Sequence, residues 1–150
     1  MTKYLIDSNC YVDAARDDGE RERLLRFTSW AAPRLYLSSV VAAELRAGAR
    51  SVRDRRLLDR LVLAPFVRTA RIVTPQAGAW DALGRALSDL RMREGLDPGR
   101  VTRAFAFDAL IAYSCREAGL VLVTKNTGDM RRLQGVFRFR FVEPYPTRVA

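Results

Sequence analysis

The chain of 150 residues contains no histidine, and this absence excludes several kinds of functional site. A protein without histidine has no Ser-His-Asp triad, no histidine general base and no zinc site with histidine ligands. Cysteine is almost as scarce. Cys10 and Cys115 both lie in apolar helical contexts outside any CxxC pattern, so we expect two buried thiols. Any hydrolytic chemistry in this protein must therefore use carboxylates.

Long apolar runs are also missing from the sequence. No stretch approaches the roughly 18 apolar residues that a membrane span needs, and no basic segment leads into a long apolar one at the start of the chain. With 49% hydrophobic and 29% charged residues, the composition is typical of a globular protein. We therefore expect a soluble, cytoplasmic protein with no membrane partner, folded as a single domain over residues 1–150.

Lysine is rare although the chain is strongly basic. Only Lys3 and Lys125 among the 26 cationic residues are lysines, and the formal net charge is +9. That sign favours a polyanionic partner, either nucleic acid or a very acidic protein. An arginine-rich genome composition would give the same excess without any function, and the sequence leaves both explanations open.

Apolar segments and helical patterns alternate along the chain. The predicted strands cover residues 3–6, 34–37, 70–73, 120–123 and 137–142. The predicted helices cover residues 10–29 with an interruption near Gly19, 39–50 after a Ser38 or Ser39 cap, 54–65, 75–93 opening at Pro75, 103–117 between a Thr102 cap and Gly119, and 127–134. Strands separated by helices predict an α/β fold with parallel strands and right-handed crossovers.

Four acidic residues occupy corresponding places beside these elements. Asp7 closes the first strand, Glu44 and Asp108 lie in the early turns of two helices, and Asp129 opens the short helix that follows the apolar strand. In a parallel sheet the carboxyl ends of the strands and the first turns of the connecting helices share one edge, where ligands bind. We therefore expect all four carboxylates at that edge.

The neighbours of Glu44 and Asp108 on their own helix faces are apolar. Three and four positions away are Val40, Val41, Ala47 and Gly48 for Glu44, and Ala104, Phe105, Ile111 and Ala112 for Asp108. A lone carboxylate in such a stripe costs several kcal/mol or is neutralised unless a cation or strong donors meet it. Asp59, by contrast, has arginines at these positions, as a solvated surface acid does.

A cluster of oxygen ligands without histidine or a thiolate pair selects Mg²⁺, or Mn²⁺ as a substitute, over zinc. Such ions activate water and stabilise charge on a phosphoryl group, and with a basic surface they indicate a phosphodiester substrate. Taken singly, Asp7 also fits an Asx turn, and Asp129 fits a helix-start acid favoured by the dipole. Glu44 and Asp108 have no such simple structural explanation.

Four segments resemble the motifs of PIN-domain nucleases. YLIDSNCYV resembles the opening strand of that family, SSVVAAELRAGA its second motif around a glutamate, and DALIAYSCREAGLVLVTKNTGDM its third and fourth acidic motifs. Each motif is short, but the four occur in order with compatible spacing. The size of the chain resembles the VapC toxins of bacterial toxin-antitoxin pairs. The resemblance implies a three-layer α/β/α fold with a central, mostly parallel sheet of about five strands.

The resemblance also implies roles for individual residues. The catalytic and metal-binding acids would be Asp7, Glu44, Asp108 and Asp129. Of these, the resemblance favours Asp7 and Asp108 as the direct Mg²⁺ ligands. The residues implied to bind substrate or orient the acids are Ser8, Asn9, Thr124 and Asn126. Ser8 stands where the family usually has threonine, and Met130 replaces the usual aromatic or aliphatic residue after the fourth acid.

A member of this family would be a Mg²⁺-dependent endoribonuclease that hydrolyses RNA, forms a homodimer and is silenced by a small antitoxin. Arginines would bind the flanking RNA backbone. The candidates are Arg50, Arg53, Arg55 and Arg56, or Arg91, Arg93, Arg100 and Arg103. The sequence does not choose between these clusters.

Other interpretations remain. A nuclease of the same fold could process RNA outside a toxin-antitoxin pair, or the fold could be a catalytically inactive module that binds RNA or protein. A haloacid-dehalogenase phosphatase needs a second aspartate where this chain has Asn9, and a receiver domain needs an acid at the end of a central strand where ARIVTPQ has none. The four acids together favour an active nuclease.

Overall fold

The computed structural model describes residues 1–149, which form five strands and eight α-helices. The strands are β1 (Tyr4–Ile6), β2 (Leu35–Ser38), β3 (Ile72–Val73), β4 (Val121–Val123) and β5 (Arg140–Val142). The helices are α1 (Ser8–Arg16), α2 (Asp18–Ala31), α3 (Ser39–Gly48), α4 (Val52–Leu58), α5 (Ala64–Arg68), α6 (Ala77–Glu94), α7 (Arg103–Ala118) and α8 (Thr127–Gln134). No helix in this range has the length and hydrophobicity that a membrane span requires.

The five strands form one parallel sheet in the order β3-β2-β1-β4-β5. β1 lies at the centre, where Leu5 is in register with Tyr36 on one side and Leu122 on the other. Every connection between neighbouring parallel strands must cross from one end of the sheet to the other, so helices cover both faces. The predicted α/β class and five-stranded sheet are confirmed, and the sheet is entirely parallel.

Alternate residues of the central strands enter two separate cores. Leu5 and Leu122 belong to a core shared with α6, α7 and α8. Ile6 and Val123, the next residue of each strand, point to the other face, where they pack with residues of α1 and α2. This period-two division produces the three-layer α/β/α arrangement. The predicted thiols lie one in each core, and both Cys10 and Cys115 are buried and free.

Local signals place the helix ends near the sheet edge. The Ser38 side chain accepts the N–H of Val40 and begins α3, and the Thr102 side chain accepts the N–H of Phe105 and begins α7. Gly119 ends α7 in the left-handed conformation at φ +69°. In this motif the N–H of Leu120 donates to the carbonyl of Cys115 at 2.8 Å, which turns the chain directly into β4.

The predicted interruption of the first helical segment near Gly19 is confirmed at Asp17, which is extended and whose carboxylate caps α2 by accepting the N–H of Glu20 at 2.8 Å. Three other predicted boundaries were wrong. The helix predicted over 54–65 runs from Val52 to Arg68 with a π-helical stretch at Asp59–Leu63. α6 begins at Ala77 after Pro75, and β5 covers only the last three residues of the predicted strand.

We expect Gly119→Ala to destabilise the protein by about 1 kcal/mol, because a Cβ is strained at this positive φ. The melting temperature should fall by about 2–4 °C in a thermal unfolding experiment. Gly84→Ala is the matched control, since a Cβ there meets nothing within 4 Å and the position lies inside α6. That variant should gain about 0.5–1 kcal/mol. Equal effects of the two substitutions would contradict the assigned role of Gly119.

Candidate active site

Asp7 is buried at the carboxyl end of the central strand, with 1% of its surface exposed. One carboxylate oxygen, Oδ1, accepts the N–H of Ser8 at 2.8 Å, so Asp7 also caps α1. The other oxygen, Oδ2, accepts the Thr124 hydroxyl at 2.7 Å and the Asn9 side-chain amide at 3.3 Å. Asp7 is therefore both a helix cap and the centre of a polar network that connects β1 to the end of β4.

Glu44 joins this network through Ser8. The Ser8 hydroxyl donates to Glu44 Oε1 at 3.2 Å, which links the first turn of α1 to the second turn of α3. Glu44 is half-buried. Burial and the negative charge of Asp7 raise the pKa of Glu44, and the hydrogen bond from Ser8 and the positive charge of Arg103 oppose that rise. Arg103 is the first residue of α7, so this helix presents a cation to the edge that holds the acids.

Asp108 and Asp129 share a single donor. The Asn126 side-chain amide donates to Asp108 Oδ2 at 2.6 Å and to Asp129 Oδ2 at 3.2 Å. Asp108 is 8% exposed, whereas Asp129 is half-buried and lies 3.7 Å from Arg132 one turn later in α8. The backbone N–H of Asn126 donates to the Thr124 hydroxyl at 3.1 Å. These bonds join the pair of acids to the network around Asp7.

All four acids thus lie along one edge, and their electrostatics reflect the crowding. Burial, followed by the charges of Asp7, Asp129 and Glu44, raises the pKa of Asp108 to about 8. Burial also raises the pKa of Asp7. Neither acid has a lysine or arginine partner within residues 1–149. A cation bound at this edge would relieve both desolvation and repulsion.

The donor chemistry fits a hard divalent cation, since every acidic ligand offers oxygen and the part of the chain described has no histidine or thiolate at the edge. Fewer acids converge on one point than the four that the sequence predicts. Over residues 1–149, no three acidic, histidine or cysteine side chains converge closely enough to hold an ion together. Mg²⁺ commonly uses one or two carboxylates and keeps several waters, so the paired arrangement is compatible with it.

The four polar residues predicted beside the acids all donate hydrogen bonds to carboxylates. Ser8 bonds Glu44, Asn9 and Thr124 bond Asp7, and Asn126 bonds Asp108 and Asp129. Thr124 is completely buried, which leaves it no surface for a substrate. The geometry therefore gives these residues a positioning role.

One residue at the rim was not predicted. Lys125 forms ion pairs with Asp13 of α1 and, at 2.9 Å, with Glu20 of α2, and its N–H donates to Asn9 at 3.3 Å. These contacts connect the loop after β4 to the first two helices. More than 100 residues separate Lys125 from both acids, so no local spacing in the sequence could have revealed the pairs. Asp59 is exposed as predicted, but its ion pair is with Arg46 of α3 at 2.8 Å.

A family model described as the PIN domain matches residues 4–136 of this chain. No curated protein matches this chain significantly. Among solved structures, DNA-bound VapBC from Salmonella typhimurium superposes with a TM-score of 0.60 at 26% identity, covering 95% of this chain and 98% of the other. FitAcB from Neisseria gonorrhoeae gives a TM-score of 0.67 at 19% identity, with 94% and 97% covered. A toxin-antitoxin complex from Klebsiella pneumoniae gives a TM-score of 0.60 at 23% identity, covering 97% of this chain and 100% of the other.

We expect Asp108→Asn to stabilise the metal-free protein at high pH. The folded state holds the Asp108 proton up to about pH 8, whereas an unfolded chain releases it near the ordinary value of 3.8. Stability from this group is therefore complete below pH 3.8 and is lost as the pH rises through 8. Asparagine keeps the acceptor for Asn126 without the charge. In EDTA, each kcal/mol that the substitution adds to the free energy of unfolding should raise the melting temperature by about 2–4 °C.

The comparison is between melting temperatures at about pH 5 and about pH 9. The advantage of Asp108→Asn should be small at the lower pH and clear at the higher one. Asp59→Asn removes one exposed carboxylate and should show no such growth with pH. A lower melting temperature for Asp108→Asn at the higher pH would mean that the carboxylate has a structural role.

Proposed function

The chain belongs to the PIN-domain family, and from this premise we propose that it is a Mg²⁺-dependent endoribonuclease that hydrolyses RNA phosphodiester bonds. PIN domains are generally nucleases. The observation that supports the proposal most directly is the network around Asp7 and Asp108, two buried carboxylates with raised pKa values and no cationic partner in residues 1–149. Such an edge is unfavourable for the protein alone and becomes favourable with a divalent cation bound.

Asp7 and Asp108 would hold the ion, with Mn²⁺ as a substitute for Mg²⁺. Asp7 is fixed by three donors, and Asp108 is fixed by Asn126. Glu44 and Asp129 are more exposed than Asp7 and Asp108, and they would complete the set of four catalytic acids. When bound, the ion would activate water and offset charge on the phosphoryl oxygens.

Ser8, Asn9, Thr124 and Asn126 would keep these carboxylates in fixed rotamers. Outer partners of this kind usually change metal affinity or activity by about 10–100-fold when removed. Ser8, Asn9 and Asn126 are half-buried, and we propose that they also contact the RNA phosphate.

Arg103 is the arginine best placed to bind the phosphate beside the cut. It is exposed at the first position of α7, and its charge acts on Glu44. Two other members of its predicted cluster, Arg93 and Arg100, have partners elsewhere. Arg93 donates to the carbonyl of Gly135 at 3.1 Å, and Arg100 lies 3.7 Å from Asp97. Because the charge of Arg103 acts on Glu44, we favour the cluster that contains Arg103 over the one at 50–56.

We also propose that the enzyme is the toxin of a toxin-antitoxin pair. The proteins whose structures it resembles are described as VapBC, as FitAcB and as a toxin-antitoxin complex. A small antitoxin would silence the acidic edge, and the chain would act in the cytoplasm as one nuclease domain over residues 1–150 and as a homodimer. The similarity in fold and the acids at one edge support this proposal.

Purified protein freed of antitoxin should cleave RNA only when Mg²⁺ or Mn²⁺ is present. Asp7→Asn and Asp108→Asn should each abolish cleavage, because either change removes a ligand charge. Asn126→Ala should lower the rate by about 10–100-fold, because it leaves Asp108 and Asp129 without their shared donor. The measurement is the initial rate of cleavage of labelled RNA on a denaturing gel, with bound Mn²⁺ followed independently by electron paramagnetic resonance.

Asp59→Asn is the matched control, because within residues 1–149 this exposed acid pairs only with Arg46. The Asp59→Asn variant should cleave RNA at the wild-type rate. Cleavage that persists in EDTA, or undiminished cleavage by Asp7→Asn, would overturn the mechanism. Mn²⁺ binding without cleavage of any RNA would instead favour a module that has lost activity.

The homodimer has a separate test. Sedimentation equilibrium of the antitoxin-free protein should give a single species of twice the chain mass, in a range of salt concentrations wide enough to weaken nonspecific charge contacts. A monomer at all concentrations would contradict the proposed assembly without affecting the proposed chemistry.

A further inference from the structure

The segment FRFRFV at 137–142 includes β5 and also lines a basic cavity. Its alternation puts phenylalanines toward the core and leaves Arg138 and Arg140 exposed on the other side. Both arginines line a cavity of about 550 Å³ together with Arg116 from the last turn of α7. A second cavity of about 470 Å³ shares Arg116 and Arg138 and adds Arg85 from α6. We call these two cavities, which share Arg116 and Arg138, the basic groove.

The basic groove lies at the edge of the sheet opposite the acids. It includes Leu120, which precedes β4, and Arg140, which begins β5, whereas the acids follow the carboxyl ends of the strands. Along α7, Arg116 is eight residues beyond Asp108, which corresponds to about 12 Å of helix. The groove is thus a separate surface, close enough for one extended ligand to reach both.

The charge of the groove is nearly uncompensated. The first cavity has no acidic residue in its lining, and the second has only Asp89. Arg116, Arg138 and Arg140 form no ion pair within residues 1–149, whereas Arg85 pairs with Asp81. Arg21, Arg46 and Arg132 are neutralised by neighbouring acids, whereas Arg53, Arg56 and Arg60, which line a smaller cavity, also form no ion pair within residues 1–149.

The phenylalanines under the groove are buried. Phe137, Phe139 and Leu120 are each at most 9% exposed, and Arg116 covers the ring of Tyr113 at 5.3 Å. Aromatic side chains are enriched at the centre of protein interfaces, and the groove leaves none of its phenylalanines exposed for such a contact. Phosphate groups need only charge and donors, and the planar arginine fork binds them in pairs.

We propose that the basic groove binds the phosphodiester backbone of the RNA at nucleotides beyond the cut. This inference rests on the proposed ribonuclease function. Because the walls are arginines and the aromatic floor is buried, the groove recognises charge and not base identity. It would hold long RNA strands more tightly than short ones, while the acidic edge decides where hydrolysis occurs.

The test measures binding and cleavage separately. A fluorescein-labelled single-stranded RNA of mixed sequence is titrated by anisotropy in EDTA at several salt concentrations. The variant Arg116→Gln/Arg138→Gln/Arg140→Gln should bind more weakly, and the slope of log K against log salt should fall by about 0.7 for each phosphate that is no longer neutralised, up to about 2. The corresponding triple lysine variant should keep most of the slope, because counterion release depends on charge.

Arg16→Gln/Arg26→Gln/Arg68→Gln is the matched control, since it removes the same charge from exposed arginines that line neither cavity. An equal loss of slope in both glutamine variants would overturn the proposal, because net charge alone would then explain binding. So would an unchanged slope in the groove variant, or a groove variant that loses only poly-glutamate binding, which would assign the groove to an acidic protein.

Wild-type cleavage of the same RNA in Mg²⁺ is measured in parallel. If the wild type cleaves and the groove variant binds normally, the groove proposal fails and the proposed function stands. If the wild type binds RNA through the groove and cleaves nothing, the proposed function fails and the groove proposal stands.

Discussion

The crowding of buried carboxylates at the carboxyl edge of the sheet is the constraint on which the rest of the site depends. Asp7 and Asp108 are buried and have no cationic partner in the described chain, and burial, followed by the charge of Asp7, raises the pKa of Asp108 to about 8. A protein selected for stability alone would replace such groups with apolar residues of similar size. Their presence is understandable if a bound cation completes the arrangement.

The fold concentrates this charge because every strand of the sheet is parallel. The ends of β1 and β4 and the early turns of α3, α7 and α8 must meet at one edge, so acids distant in sequence become neighbours. Side-chain amides and hydroxyls then hold the carboxylates at fixed positions. Asn126 is central because one amide serves both Asp108 and Asp129. Rigid placement of this kind lowers the cost of organising a site when a ligand arrives.

The positive charge has a different distribution from the negative charge. Arg103 stands beside the acids, whereas Arg116, Arg138 and Arg140 form a groove at the far edge with almost no opposing charge. An acidic site would by itself repel a polyanion, and a basic surface around it offsets that repulsion and favours encounter. The placement of the positive charges on the surface therefore fits a polyanionic substrate. The total of +9 would also follow from an arginine-rich genome composition.

The sequence by itself determined the α/β class, the parallel sheet, the caps at Thr102 and Gly119, a cap at Ser38 or Ser39, and the choice of Asp7, Glu44, Asp108 and Asp129 as the acids at one edge. These features depend on local periodicity and on the rule that parallel strands share an edge, and both can be read without coordinates. Only the tertiary structure decided which partners meet. The pairing of Lys125 with Asp13 and Glu20, the shared donor Asn126 and the basic groove all involve precise side-chain directions or contacts across long stretches of chain. Such contacts are set by packing among several elements, and no spacing along the chain specifies them.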